Sequence, residues 1–172
     1  MTTPAMTDIL RIYAFCLFVA FISSTFTGCQ NDVVCEEVTG TSLRMGFYNL
    51  TADGQSVSTA IDSLTIFGLN RPEDRIYDNQ TSVARIELPL NPSSDTTAFV
   101  FMFPEASDTL WIEYSRIPHL ISVECGFTMF FDIKSITYTN HHIITGEINI
   151  NLVSNALDEN IKLVISDTAD GL

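Results

Sequence analysis

The sequence predicts an all-β protein: an antiparallel β-sandwich of immunoglobulin-like build, with about eight or nine strands and a closed barrel as the alternative. Two observations carry this expectation. Beyond residue 42, apolar residues alternate with polar ones at a period of two in short segments, and no stretch keeps a helical period. Turn-forming residues then break the chain at short intervals, as at Asp53-Gly54 and in the Asn70–Asp74 cluster around Pro72. The 172 residues suffice for one domain, and 46% apolar content is too high for a disordered acidic chain.

The segments follow in order. Leu43–Leu50 places Leu43, Met45 and Phe47 on one face, and Ser63–Leu69 is a second strand. Val83–Leu90 sets Ala84, Ile86, Leu88 and Leu90 against Arg85 and Glu87, with Pro89 at its end as suits an edge or a terminus. Thr97–Phe103 is apolar on both faces, as expected of a central strand. Thr109–Arg116 directs Leu110, Ile112 and Tyr114 one way and Trp111 and Glu113 the other. His119–Val123 is a short strand before Cys125, and Phe127–Ile133 presents Phe127, Met129, Phe131 and Ile133 together. Ile143–Leu152 aligns Ile144, Ile148, Ile150 and Leu152, and Ile161–Ile165 closes the set.

The first residues read as an address. Ile12 to Ile22 is an unbroken apolar run of 11 residues, shorter than the roughly 20 needed to span a bilayer but suited to a secretory signal. Phe26-Thr27-Gly28-Cys29 follows and resembles a bacterial lipobox. That resemblance implies a signal peptide over residues 1–28, a lipid (palmitate) on Cys29, a lipidated N-terminus and short tether over 29–42, and a domain over 43–172. The alternative is an uncleaved anchor with Cys29 as an ordinary thiol. On the lipoprotein reading Cys16 is removed and Cys29 is acylated. Cys35 and Cys125 then remain as an even pair in an oxidising compartment, which reads as one disulfide. A metal site using both and a histidine is the alternative, although neither sits in a C-x-x-C pair. The bond would hold the domain close to the membrane, because Cys35 lies only six residues after Cys29.

An ordered set of short motifs carries a further resemblance: Phe47-Tyr48, Leu64-Thr65-Ile66-Phe67-Gly68, Leu88-Pro89-Leu90-Asn91, Asp108-Thr109-Leu110, Tyr114-Ser115-Arg116 and Glu124-Cys125-Gly126-Phe127. The set resembles an uncharacterised family of small Bacteroidota envelope lipoproteins, a domain of unknown function. The resemblance implies a Gram-negative outer membrane and no mechanism. It also implies candidate O-glycosylation where Asp precedes Ser or Thr, at Ser63, Thr96, Thr109 and Thr168. The plainer account of these pairs is that Asp and Thr commonly begin strands after turns. The stretch Gln30-Asn31-Asp32 is too weakly acidic to choose between periplasm-facing and surface-facing anchorage.

Net charge is −13, from 8 Lys+Arg against 21 Asp+Glu, which argues against nucleic acid as a partner and against a polybasic membrane surface. His141-His142 would fall on opposite faces of a strand and more readily cap the turn after Thr139-Asn140 than chelate an ion. His119 has no acidic partner by spacing, and no catalytic, phosphate-loop or EF-hand motif is present. Glu87, Glu113, Glu124 and Glu147 lie near strands and could serve a hydrolase through paired carboxylates. Trp111 is the candidate ligand-facing aromatic, beside Tyr48 or Tyr77; burial against the disulfide or within a central strand is the plainer account. The expectation is a non-catalytic envelope lipoprotein that needs no metal or cofactor. Its lipid holds it to the membrane, and it binds an envelope protein or glycan or supports an assembly. The alternatives are a small envelope hydrolase and a purely structural tether.

Overall fold

A computed structural model describes Arg11, Cys35 and residues 40–166. The backbone divides into two units, Met1–Val34 and Cys35–Leu172, and all described strands belong to the second. These strands are β1 (Leu43–Leu50), β2 (Ser56–Ser58), β3 (Leu64–Gly68), β4 (Arg75–Gln80), β5 (Arg85–Leu88), β6 (Thr96–Met102), β7 (Ser107–Ser122), β8 (Gly126–Tyr138), β9 (Ile143–Ile148), β10 (Leu152–Val153) and β11 (Ile161–Ile165). They form two separate sheets and no closed barrel. One has the order β2-β1-β11-β9, with β5 also paired to β1, and the other runs β10-β8-β7-β6-β3-β4.

The sandwich follows from alternation. Leu43, Met45 and Phe47 of β1, Ile86 and Leu88 of β5, and Ile161 and Leu163 of β11 turn inward from the five-stranded sheet. Leu64 and Ile66 of β3, Phe99 and Phe101 of β6, and Leu110, Ile112 and Tyr114 of β7 turn inward from the other. The two sheets meet at Phe47 and Phe101, whose rings cross edge-to-face at 6.5 Å. Phe101 also stacks on Phe103, and Tyr114 meets Phe131 edge-to-face at 5.1 Å.

Several details depart from the sequence reading. The strand count is eleven, because three short or polar strands escape the apolar pattern. β2 carries Ser-Val-Ser, β4 carries Arg-Ile-Tyr-Asp-Asn-Gln on an edge, and β10 is a two-residue piece separated from β9. The pairing is antiparallel except between β1 and β11, which run parallel, Met45 against Ile161 through Tyr48 against Val164. His119–Val123 is no strand of its own: residues 119–122 continue β7, which runs through Pro118 in a register opposite β8. β6 is central, but only its inward face is covered, and Met102 is exposed on the other. In Ile143–Leu152 the expected face is inverted. Ile143 is the fully buried residue, while Ile144, Ile150 and Leu152 are exposed and Ile148 only packs against the core margin. The chain leaves β9 after Ile148 and changes sheet to make β10, so one period of two cannot run through all ten residues. Phe127 likewise leaves the face of Phe131 and Ile133 for solvent.

Because Phe101 is fully buried where the sheets meet, Phe101→Ala is expected to cost about 3–5 kcal/mol. Urea unfolding followed by far-UV circular dichroism reads this directly; a cost below about 1 kcal/mol would contradict the placement.

Candidate functional site

Three places combine polar chemistry with access: the corner after β8, the outer face of the six-stranded sheet, and the end of the β7–β8 hairpin.

The corner is built on Asp108, the second residue of β7, which is 1% exposed. Its Oδ1 accepts from the Thr139 hydroxyl at 2.6 Å and the His141 N–H at 2.9 Å, and His141 Nδ1 stands 3.0 Å away. A carboxylate only accepts, so that ring nitrogen carries the proton. Oδ2 accepts from the N–H groups of His142 at 2.6 Å and Ile143 at 2.8 Å. Burial alone would raise the Asp108 pKa from its ordinary 3.8; the Thr139 hydroxyl and the N–H groups of His141, Ile143 and His142 overcome it and bring the value to about 2. The two histidines cap this turn and diverge. The His141 ring lies in solvent, while His142 is buried against Phe103, with ring centroids 4.2 Å apart. Burial lowers the His142 pKa despite the nearby Asp108 charge, and its Nδ1 lies 2.9 Å from the Ser166 hydroxyl. His119 is exposed and stacks on Phe130 at 4.3 Å. Among the described residues, no group of three or more His, Cys, Asp or Glu is placed to hold a metal ion.

Trp111 lies on the outer face of the six-stranded sheet and is 37% exposed. Its register neighbours are Ala98 on β6 and Thr137 on β8. Glu113, two residues along, accepts from the Ser135 hydroxyl at 2.7 Å. Neither tyrosine expected beside Trp111 is there. Tyr48 belongs to the other sheet, where its hydroxyl donates to Glu159 and Lys162 sits over its ring, and Tyr77 packs at the core margin with its hydroxyl on the Glu87 N–H. Burial, and then the bond to Glu159, raise the Tyr48 pKa.

The four glutamates of the hydrolase alternative are dispersed. Glu87 lies on β5 at one edge of the five-stranded sheet, paired with Arg44 at 3.2 Å. Glu147 lies on β9 at the opposite edge, two strands (β1 and β11) away. At about 4.8 Å per strand that separation is roughly 14 Å, too far for the two carboxylates of a glycosidase. Glu113 is on the other sheet, and Glu124 is in the turn of the β7–β8 hairpin.

The hairpin turn also holds Cys125, which is disulfide-bonded to Cys35 across 90 residues of sequence. The bond leaves no thiolate for the metal alternative. A second tie lies nearby, where the Thr41 and Thr128 hydroxyls are 3.4 Å apart. Among the candidate glycosylation positions, Thr96 is exposed at the start of β6 and Ser63 is half-buried, donating to Asn79 Oδ1 at 2.5 Å. Thr109 is half-buried, and the Asp before it is the carboxylate that builds the corner. Thr168 and Cys29 lie outside the described residues.

Residues 63–165 match DUF6452, a family of unknown function. The chain belongs to that family. The DUF6452 match runs from the residue before β3 to the end of β11, and so takes in Asp108, Trp111 and the whole β7–β8 hairpin. No curated protein and no solved structure matches the chain.

The Asp108 pKa has a defined consequence for stability. A folded value below the ordinary one adds stability that is complete above about pH 4 and is lost as pH falls through about 2, amounting to about 2 kcal/mol. Asp108→Asn, which leaves N–H donors facing an amide, is expected to lose about 3 kcal/mol at neutral pH. The gap between variant and wild-type urea midpoints should narrow between pH 4 and pH 2; a gap independent of pH would count against a charged Asp108.

Proposed function

We propose that this protein is a lipid-anchored, non-catalytic lipoprotein of a bacterial outer membrane, in the manner of Bacteroidota envelope lipoproteins, and that its domain binds an envelope protein or glycan or supports an assembly there. The observation that carries this reading is the Cys35–Cys125 disulfide. A structural disulfide belongs to an oxidising compartment, which agrees with the apolar leader and with Cys29 as its processing point. It also ties the folded domain to a residue only six positions after Cys29, so domain and acyl chains would stay close together.

The binding surface in this reading is the outer face of the six-stranded sheet. Trp111 and Met102 are both exposed there on ordered strands, with the half-buried Val100 between them on that face. An indole held on a rigid sheet offers a large contact area at low entropy cost, to a sugar ring or to a protein surface.

Intact mass of the protein purified from membranes tests the address. A chain beginning at Cys29 with added acyl mass, gaining two hydrogens on reduction, is the expected result; an unlipidated chain retaining Met1 would remove the reading. For the face, a photo-reactive residue in place of Trp111 is expected to cross-link one discrete envelope component in cells. The same residue at Val57, exposed on β2 of the other sheet, should not. Equal labelling at both positions would mean that the face is not a binding surface.

A further inference from the structure

We propose that the tip of the β7–β8 hairpin is a lipid-contacting surface, with Leu120, Val123 and Phe127 seated at the headgroup–acyl boundary of the membrane that holds the Cys29 acyl chains. The inference rests on the acylation of Cys29 proposed above.

The hairpin outruns its sheet. β6 pairs with β7 only along residues 107–113, and β10 meets β8 only at Phe131 and Asp132. Between those limits and the turn, β7 and β8 pair with each other alone, down to Ser122 opposite Gly126. An isolated two-stranded ribbon is marginal in water, so it needs ties. The Cys35–Cys125 bond and the Thr41–Thr128 contact supply them, and both bring the chain that follows Cys29 to this end of the molecule.

The ribbon's end is apolar. Leu120 and Phe127 face each other across the strands, and Val123 occupies the turn between them. They are 48%, 75% and 87% exposed, and Ile117 behind them is 40% exposed. From residue 117 to residue 130 the one Asp, Glu, Lys or Arg is Glu124, in a chain of net charge −13. His119 in the same stretch is stacked on Phe130. A small, nearly uncharged apolar end on an otherwise acidic domain suits the interfacial zone of a zwitterionic membrane.

The reach of the chain selects this occupant over another protein. Cys35 lies six positions after Cys29, and at full extension six steps of the chain span no more than about 20 Å. Acyl chains on Cys29 would therefore hold the bonded tip within a headgroup layer or two of the bilayer. The lipid supplies the affinity and the tip fixes the orientation.

Brominated lipids read the contact. The full chain is extracted from membranes and reconstituted into phosphatidylcholine and phosphatidylethanolamine vesicles with brominated or ordinary acyl chains. Trp111 is the internal reference, since it lies nine residues from Leu120 along β7, about 30 Å away. In Phe127→Trp, the brominated lipid is expected to quench most of the added emission and leave the wild-type emission unchanged. Val123→Trp gives the same reading should the first variant fail to fold. Equal emission in both lipids, from a chain whose mass shows the acyl group, overturns the tip contact and leaves the anchor standing. A chain without acyl mass overturns the anchor and the inference built on it. Quenching of Trp111 instead overturns the orientation.

Discussion

The buried carboxylate of Asp108 is the constraint on which the two-sheet arrangement depends. β8 belongs to the six-stranded sheet and β9 to the five-stranded one, so residues 139–142 form the corner where the chain crosses between layers. A corner has no ladder partner for its own N–H groups, and in a buried position each would be costly unpaired. Asp108 takes two of them, those of His141 and His142, together with the Ile143 N–H at the start of β9 and the Thr139 hydroxyl, on a single side chain at the start of β7. It thereby fixes the register of β8 against β7 and the entry of Ile143, fully buried, into the other sheet. Tyr114 and Asn160 work in the same way elsewhere. The Tyr114 hydroxyl holds the Asn91 backbone and Thr97, and the Asn160 amide ties Arg44 to Ile150 and Leu152. Side chains reaching from strands, more than the loops themselves, define the corners.

Asn160 leads directly into the parallel pair of β1 and β11. β11 fills the place between β1 and β9, and four of its five residues are buried. The five-stranded sheet is therefore incomplete until the two ends of the domain meet, a contact between residues more than a hundred positions apart. The region matched by the family begins at residue 63, after β1. Yet without β1, Ile161, Leu163 and their neighbours pair on one side only, with β9, and the sheet loses its middle, so the folding unit is longer than the matched region.

What the sequence made legible follows the same physics. β1 and β11 could be read to the residue because each alternates or runs apolar against one covered face. β2 and β4 escaped because edge strands need bury little, and their polar residues resemble turns. The β9–β10 segment misled because an unbroken alternation of Ile and Asn hides a change of sheet. The outward placement of Trp111 was written in the alternation of Thr109–Arg116, although its neighbours were not, since tyrosines on other strands cannot be positioned from one-dimensional spacing. Asp108 was the signal most easily overlooked. In the sequence it is one of several Asp-Thr pairs at strand starts, and only the fold brings it to the histidine turn 31 to 35 residues later.

Charge gives the domain a direction. Of the seven basic side chains after residue 28, Arg44, Arg75, Arg116 and Lys134 are engaged in ion pairs with acidic neighbours, and Lys162 covers the Tyr48 ring. Such exposed pairs add little stability, but they use much of the positive charge and leave most carboxylates uncompensated. An acidic sandwich is repelled by anionic headgroups within about a Debye length, roughly 8 Å at physiological salt. The β7–β8 ribbon projects past its neighbouring strands and carries a single carboxylate beyond Arg116 on its way to the turn. At a membrane that carries anionic headgroups, repulsion of the acidic body and burial of the apolar tip would favour the same proposed pose. In that proposed pose the outer face carrying Trp111, nine residues back along β7 from Leu120, would stay clear of the tip.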